Sequence, residues 1–202
     1  MENNERQKPH GAGKSSFGLV DADLIFGEFR LGGGISFLDL GCGRGEYAIA
    51  AASIIGDEGF VYAVDLWEEG IASLQEEVAA KGIKNVKAMV ADVGKMIPME
   101  DNSVDMCFMA TVFHDLVLAD EAEGALEEIF RVLKRDGLLA IVEFEKVDGP
   151  PGPPVSSRLA PEEVENKVTP YGFELIKVTT AGAYNYLMIF RLTLGVIANN
   201  ES

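Results

Sequence analysis

Basic residues are scarce in this chain. Lysine and arginine number 17 against 33 aspartates and glutamates, which leaves a net charge of −16 over 202 residues. A nucleic-acid binder displaces counterions with a basic surface, and no Lys/Arg-rich run is present, so neither nucleic acid nor an anionic membrane is expected as a partner. Long apolar runs are missing as well. None approaches the ~20 residues of a membrane span, and the opening "MENNERQKPHGAGKSS" lacks the apolar stretch of a secretory signal. A cytoplasmic location is the expectation. Histidine occurs twice, as His10 and His114, and cysteine twice, as Cys42 and Cys107. Their spacings make no metal site, so no metal is expected, and both thiols should stay reduced.

What is present is alternation. Apolar runs at 35–40, 60–66, 85–92, 103–110 and 138–144 read as buried strands. Between them, 46–55, 68–82 and 121–137 carry helical spacing, the last two closed by glycine. A short amphipathic helix begins after Asp21, a candidate N-cap. Such alternation predicts an α/β fold, a Rossmann-like doubly wound sheet whose strands are mostly parallel. "VDGPPGPPVSSR" (147–158) is a Pro/Gly loop, a helix follows at about 161–170, and "FELIKVTT" with "YNYLMIFRLT" reads as a terminal antiparallel hairpin. One domain is expected over 21–193, with a mobile N-terminal tail over 1–20 and a C-terminal tail over 194–202. "GAGKSS" (11–16) is no P-loop: Lys8 stands where that motif needs its first glycine, and no strand precedes it.

Function in such sheets sits just beyond the strand C-termini. The first strand ends in "FLDLGCGRGEYA" (37–48), a G-x-G-x-G loop of Gly41, Gly43 and Gly45. The dinucleotide fingerprint has a third glycine where Glu46 stands here, and a carboxylate there repels a pyrophosphate. The second strand ends at Asp65, placed to accept two hydrogen bonds from a ribose diol. The third ends at Asp92, with Val93 beside it, where carboxylate and backbone can address the edge of a purine.

In order along the chain, "FLDLGCGRGEYA", "VYAVD", "VKAMVAD" and "RVLKRDGLLAIVEF" resemble the motifs of class I S-adenosylmethionine-dependent methyltransferases over about residues 21–192. The terminal hairpin fits that resemblance. It implies S-adenosyl-L-methionine as cofactor, a ligand that carries no phosphate and needs close backbone approach at the glycine loop. By the same resemblance Gly41, Cys42 and Gly43 contact the methionine and ribose portions, with Asp39 orienting the amino group. Asp65 holds the ribose hydroxyls, Leu66 and Trp67 flank adenine, Asp92 and Val93 recognise its amino edge, and Ala110 closes the site after the fourth strand. The chain is most similar to the small-molecule group that includes ubiquinone/menaquinone C-methyltransferases. It departs from the quinone enzymes after the fourth strand, where "ATVFHDL" replaces their sequence, and two cysteines are too few for an arsenite methyltransferase.

The implied reaction is in-line transfer of a methyl group to a small-molecule acceptor. His114 is the candidate base, since its side chain titrates near neutrality. Phe17, Phe113, His114 and Arg158 are the candidate acceptor contacts, with the 147–158 loop as a possible cover. Two other readings remain at this stage, a nicotinamide-dependent oxidoreductase and a non-catalytic nucleoside-binding module.

Overall fold

A computed structural model describes residues 11, 13–29 and 31–193. Seven strands form one sheet in the order β3-β2-β1-β4-β5-β7-β6. These are β1 (Ser36–Leu40), β2 (Phe60–Asp65), β3 (Val86–Val90), β4 (Val104–Ala110), β5 (Leu133–Phe144), β6 (Phe173–Thr180) and β7 (Asn185–Leu192). β1 to β5 pair in parallel; β7 is antiparallel to both β5 and β6. The sheet is therefore α/β and mostly parallel, as the alternation predicts. The hairpin is present, with its second strand inserted between β5 and the first.

Helices cover both faces. On one side α1 (Ala22–Glu28), α2 (Glu46–Ile55) and α3 (Glu68–Lys81) close over an aromatic core in which Phe26, Phe29, Phe37, Tyr47 and Phe108 touch. On the other side lie α4 (Phe113–Leu118), α5 (Ala122–Val132) and α6 (Pro161–Val168). Successive residues of a buried strand feed opposite layers, Phe37 and Phe108 to the first, Leu38 and Cys107 to the second. Asp21 caps α1 by accepting the Leu24 N–H at 3.0 Å.

Two elements differ from their sequence reading. α5 stops at Val132 rather than 137, because the carbonyls of Arg131 and Val132 accept the N–H groups of Asn102 and Ser103 and Leu133 pairs with Val104. The sheet thereby captures the last turn of the helical pattern, and Asp136 (φ 61°) and Gly137 bulge before regular pairing resumes at Leu138. The second difference lies in the expected N-terminal tail. Residues 17–19 form a 3₁₀ turn, the Ser16 hydroxyl is buried 3.0 Å from the Tyr47 hydroxyl, and Val20 bridges to Gly182. This stretch packs onto the domain. Residues 1–10 and the expected tail 194–202 lie outside the described residues.

The chain runs outward from β1 to β3, then returns to place β4 on β1's other side. That reversal of strand order makes the crevice above β1 and β4 the place for a ligand.

Candidate active site

A cavity of about 510 Å³ opens there. The loops after all five parallel strands line it, and residues of the 11–19 segment and of 152–154 cover it.

The glycine loop and Asp65 form one hydrogen-bonded unit. Gly41 and Cys42 N–H groups donate to the Val64 carbonyl, while Gly43 and Trp67 N–H groups each donate to the Asp65 carboxylate at 2.7 Å. Gly43 adopts φ 57° and has open space where a Cβ would stand. Its partner Gly45 has φ 78°, and a Cβ there would run into the Leu74 side chain, so α2 and α3 pack only with glycine at that corner. Asp39, at the end of β1, is 1% exposed, and its Oδ2 finds no partner among the described residues. Burial, reinforced by the Asp65 charge and opposed by a backbone bond from Ala48, pushes its pKa up to about 8. A buried carboxylate oxygen left without a donor is matched to a cation that arrives with its own N–H groups.

Of the other residues expected around a nucleoside, Leu66, Asp92, Val93 and Ala110 line the cavity. Asp92 is held by Gly94 N–H at 3.1 Å and the Lys95 ammonium at 2.6 Å. Two expected residues stand off the cavity wall. Trp67 is not among the lining residues: its ring is buried against Gly70, with the Arg44 guanidinium 5.5 Å over it, so it seats the start of α3. Cys42 also lies off the cavity wall, its thiol buried and held well above the usual range by that burial and by the charges of Asp39 and Asp65.

The acceptor side departs further from expectation. Phe113 is wholly buried in the core beneath α4, and Phe17 stacks edge-on against Tyr47 at 5.0 Å; neither lines the cavity. Arg158 is 3% exposed and spends its donors on backbone: Nε on Pro153 O, Nη1 on Glu145 and Val147 O, Nη2 on Gly149 and Pro151 O, at 2.6–3.1 Å. All five N–H groups of a guanidinium are thereby accounted for. Arg158 organises the Pro/Gly loop and has no donor left for an anionic acceptor.

His114 does line the cavity, and it has a partner outside the sequence reading. Its Nδ1 lies 3.0 and 2.8 Å from the two oxygens of Glu143, which is fully buried at the end of β5 and also accepts the His114 backbone N–H at 3.0 Å. Nε2 lies 3.6 Å from the Asp115 carboxylate. Burial draws the imidazole pKa down, but the bond and charge of Glu143 and the charge of Asp115 outweigh it and raise the pKa, with Arg158 opposing. The one available signal for Glu143 was a single charge inside the apolar run "LLAIVEF". Thr111 closes the group at φ 57°, a strained conformation for a β-branched residue, with its hydroxyl 3.4 Å from that of Ser16.

The chain matches a family model described as a methyltransferase domain over residues 31–188. A solved S-adenosylmethionine-dependent methyltransferase from Aquifex aeolicus is 34% identical, with a TM-score of 0.82 over 89% of this chain and 93% of that one. An arsenite methyltransferase of Halobacterium salinarum is 33% identical over 54% of this chain and 27% of its own length. A demethylmenaquinone methyltransferase of Geobacillus kaustophilus is 33% identical over 52% of this chain and 44% of its own. The chain spans less than half the length of these two curated relatives.

Proposed function

The chain belongs to the family of S-adenosylmethionine-dependent methyltransferases, and on that premise we propose that it methylates a small-molecule acceptor bound in the cavity above β1 and β4. The observation that carries the proposal is the cavity's two-part lining. The glycine loop, Asp65, Leu66, Asp92 and Val93 form one part, and His114, Asp115, Phe144, Pro153 and Pro154 the other, under the cover of residues 13–16 and Leu19.

S-adenosylmethionine supplies an activated methyl group and leaves as a neutral thioether. The residues fit it: the orphaned Asp39 oxygen suits its ammonium, the open space at Gly43 admits its close approach, and Asp65, already ordered by two N–H donors, retains lone pairs for ribose hydroxyls. Leu66, Asp92 and Val93 are then left for the adenine. The chain's remaining task is to hold the acceptor in line, and such positioning is worth ~7–11 kcal/mol. Arsenite as acceptor is disfavoured, since Cys42 and Cys107 are both buried and pack in opposite layers of the fold.

Calorimetric titration with S-adenosylmethionine, S-adenosylhomocysteine and NADH tests this reading. Binding of the two sulfur nucleosides at micromolar strength, lost in Asp65→Ala, supports it. Preference for NADH, or no binding by any of the three, overturns it.

A further inference from the structure

Resting on that reading, we infer that His114 and Glu143 form a proton-accepting dyad, with His114 the catalytic base and Glu143 its positioning residue. The acceptor accordingly carries an X–H group that must be deprotonated, a phenolic or enolic hydroxyl or a thiol.

The geometry argues for this in three ways. First, both oxygens of one buried carboxylate face a single ring nitrogen, Nδ1, at 3.0 and 2.8 Å. Nδ1 therefore carries a proton and donates it, which leaves Nε2 as the acceptor nitrogen whenever the ring is neutral. Second, the pair is placed where function lies. Glu143 stands at the end of β5 and His114 in the first turn of α4, beyond the end of β4, and His114 and Asp115 are both part of the cavity wall. Third, the pair is costly as mere structure. A buried ion or hydrogen-bonded pair of this kind adds little over apolar side chains of the same size. The backbone bond from His114 N–H to Glu143 further fixes the ring relative to the strand end.

The step balances without any further reagent. The acceptor's X–H bond breaks and its proton passes to Nε2; the electron pair left on X forms the bond to the methyl carbon, and the carbon–sulfur pair stays on sulfur. The proton on His114 then returns to solvent with product release. The charged groups around the ring are Glu143 from β5, Asp115 from its own helix, Arg158 from the loop before α6, and, around the shared cavity, Lys14, Asp65, Asp92 and Glu121. The negative charges stabilise the imidazolium formed in the step and raise the pKa of the base from the ordinary histidine value.

The test combines spectroscopy with turnover. With two histidines in the chain and His114→Gln to assign them, nitrogen-15 spectra of the full protein report the tautomer and titration of His114 directly. The expected result is a neutral ring protonated at Nδ1, with a titration midpoint above 6.5 that falls in the isosteric Glu143→Gln. Release of S-adenosylhomocysteine is then followed with a panel of phenols, enols, thiols and amines. Turnover of the X–H acids is expected, rising with pH through the His114 midpoint. It should drop about 100-fold or more in His114→Gln while nucleoside affinity is unchanged, and Glu143→Gln should shift the pH profile to lower values. A ring protonated at Nε2, a midpoint that Glu143→Gln leaves in place, or a His114→Gln enzyme with wild-type kcat overturns the dyad. Turnover confined to amines, or absent from the whole panel while the sulfur nucleoside binds, overturns the acceptor class. Failure of the nucleoside itself to bind overturns the cofactor reading instead, so the two failures are told apart.

Discussion

Replacing Arg158 by methionine keeps most of the apolar stem and deletes the guanidinium. Five carbonyls, those of Glu145, Val147, Gly149, Pro151 and Pro153, lose their shared donor. Hydrogen bonds from a charged donor contribute about 1.5–3 kcal/mol each, so five would sum to about 7.5 kcal/mol even at the low end if they were additive. Bonds that share one group do not add fully, and carbonyls in a loop this exposed recover water once freed. The expected local cost is therefore about 3 kcal/mol, or roughly a hundredfold in the opening of the loop. Hydrogen exchange reads this out at the Val147, Ser157 and residue-158 amides, which are bonded to Glu145, Pro154 and Val155 carbonyls. Those amides should exchange roughly a hundred times faster in Arg158→Met while amides of β1 and β4 keep their protection. Arg158→Lys should resemble the methionine variant, because one ammonium with three donors cannot serve five carbonyls. Loop amides that stay within about threefold of wild type would refute the reasoning, and the loop would then be held by its prolines and its packing on Phe144.

Other substitutions address the glycine loop and its neighbours. Gly43→Ala meets no atom within 4 Å, so its stability cost is the backbone strain alone, about 1–2 kcal/mol; its nucleoside affinity should nevertheless fall at least about tenfold, since the added methyl stands in the ligand's space. Gly45→Ala adds a collision with Leu74 to similar strain and should lower the thermal midpoint further than Gly43→Ala. For Asp39 the pKa rises from 3.8 in the unfolded chain to about 8 in the fold, so between those values the folded protein holds the extra proton. Stability should then fall as pH rises from about 4 to 8, and Asp39→Asn, which cannot ionise, should flatten that slope in thermal melts while weakening nucleoside binding. Trp67→Phe should lower stability by about 1–2 kcal/mol and leave nucleoside affinity unchanged, as befits a ring packed on Gly70 rather than on the ligand.

Strand and helix order, the glycine loop and the acidic strand ends were legible in the sequence because each is a local pattern. An apolar run, a glycine at every second position and a carboxylate at a strand end all fall within a few residues. The acceptor side was not legible, because its logic is non-local. Glu143 reads as a strand residue until the sheet brings it to His114, 29 residues back in sequence. Arg158 reads as a surface cation until the loop closes around it. Trp67 has the right position for an adenine neighbour, but the small Gly70 one turn on offers the ring a buried seat that sequence spacing does not announce. Residues 16–20 look like a tail by composition, yet a buried hydroxyl pair, the Phe17 ring on Tyr47 and a bridge to the hairpin turn dock them.

Because β7 lies between β5 and β6, the ribosome must deliver residues 185–192 before either neighbour is paired on that side. Until then β5 presents Leu139–Val142 as a bare strand edge, and β6 has no sheet to join. A nascent chain at this stage is a five-stranded template open to any passing strand, the condition under which partly made proteins aggregate. Glu143 sits on that open edge, opposite Tyr186, so the strand bearing the carboxylate that faces His114 is completed on that side by the final strand of the sheet. A stop codon between 181 and 185 would therefore yield an adhesive intermediate with an unfinished active site, and not a shorter working enzyme.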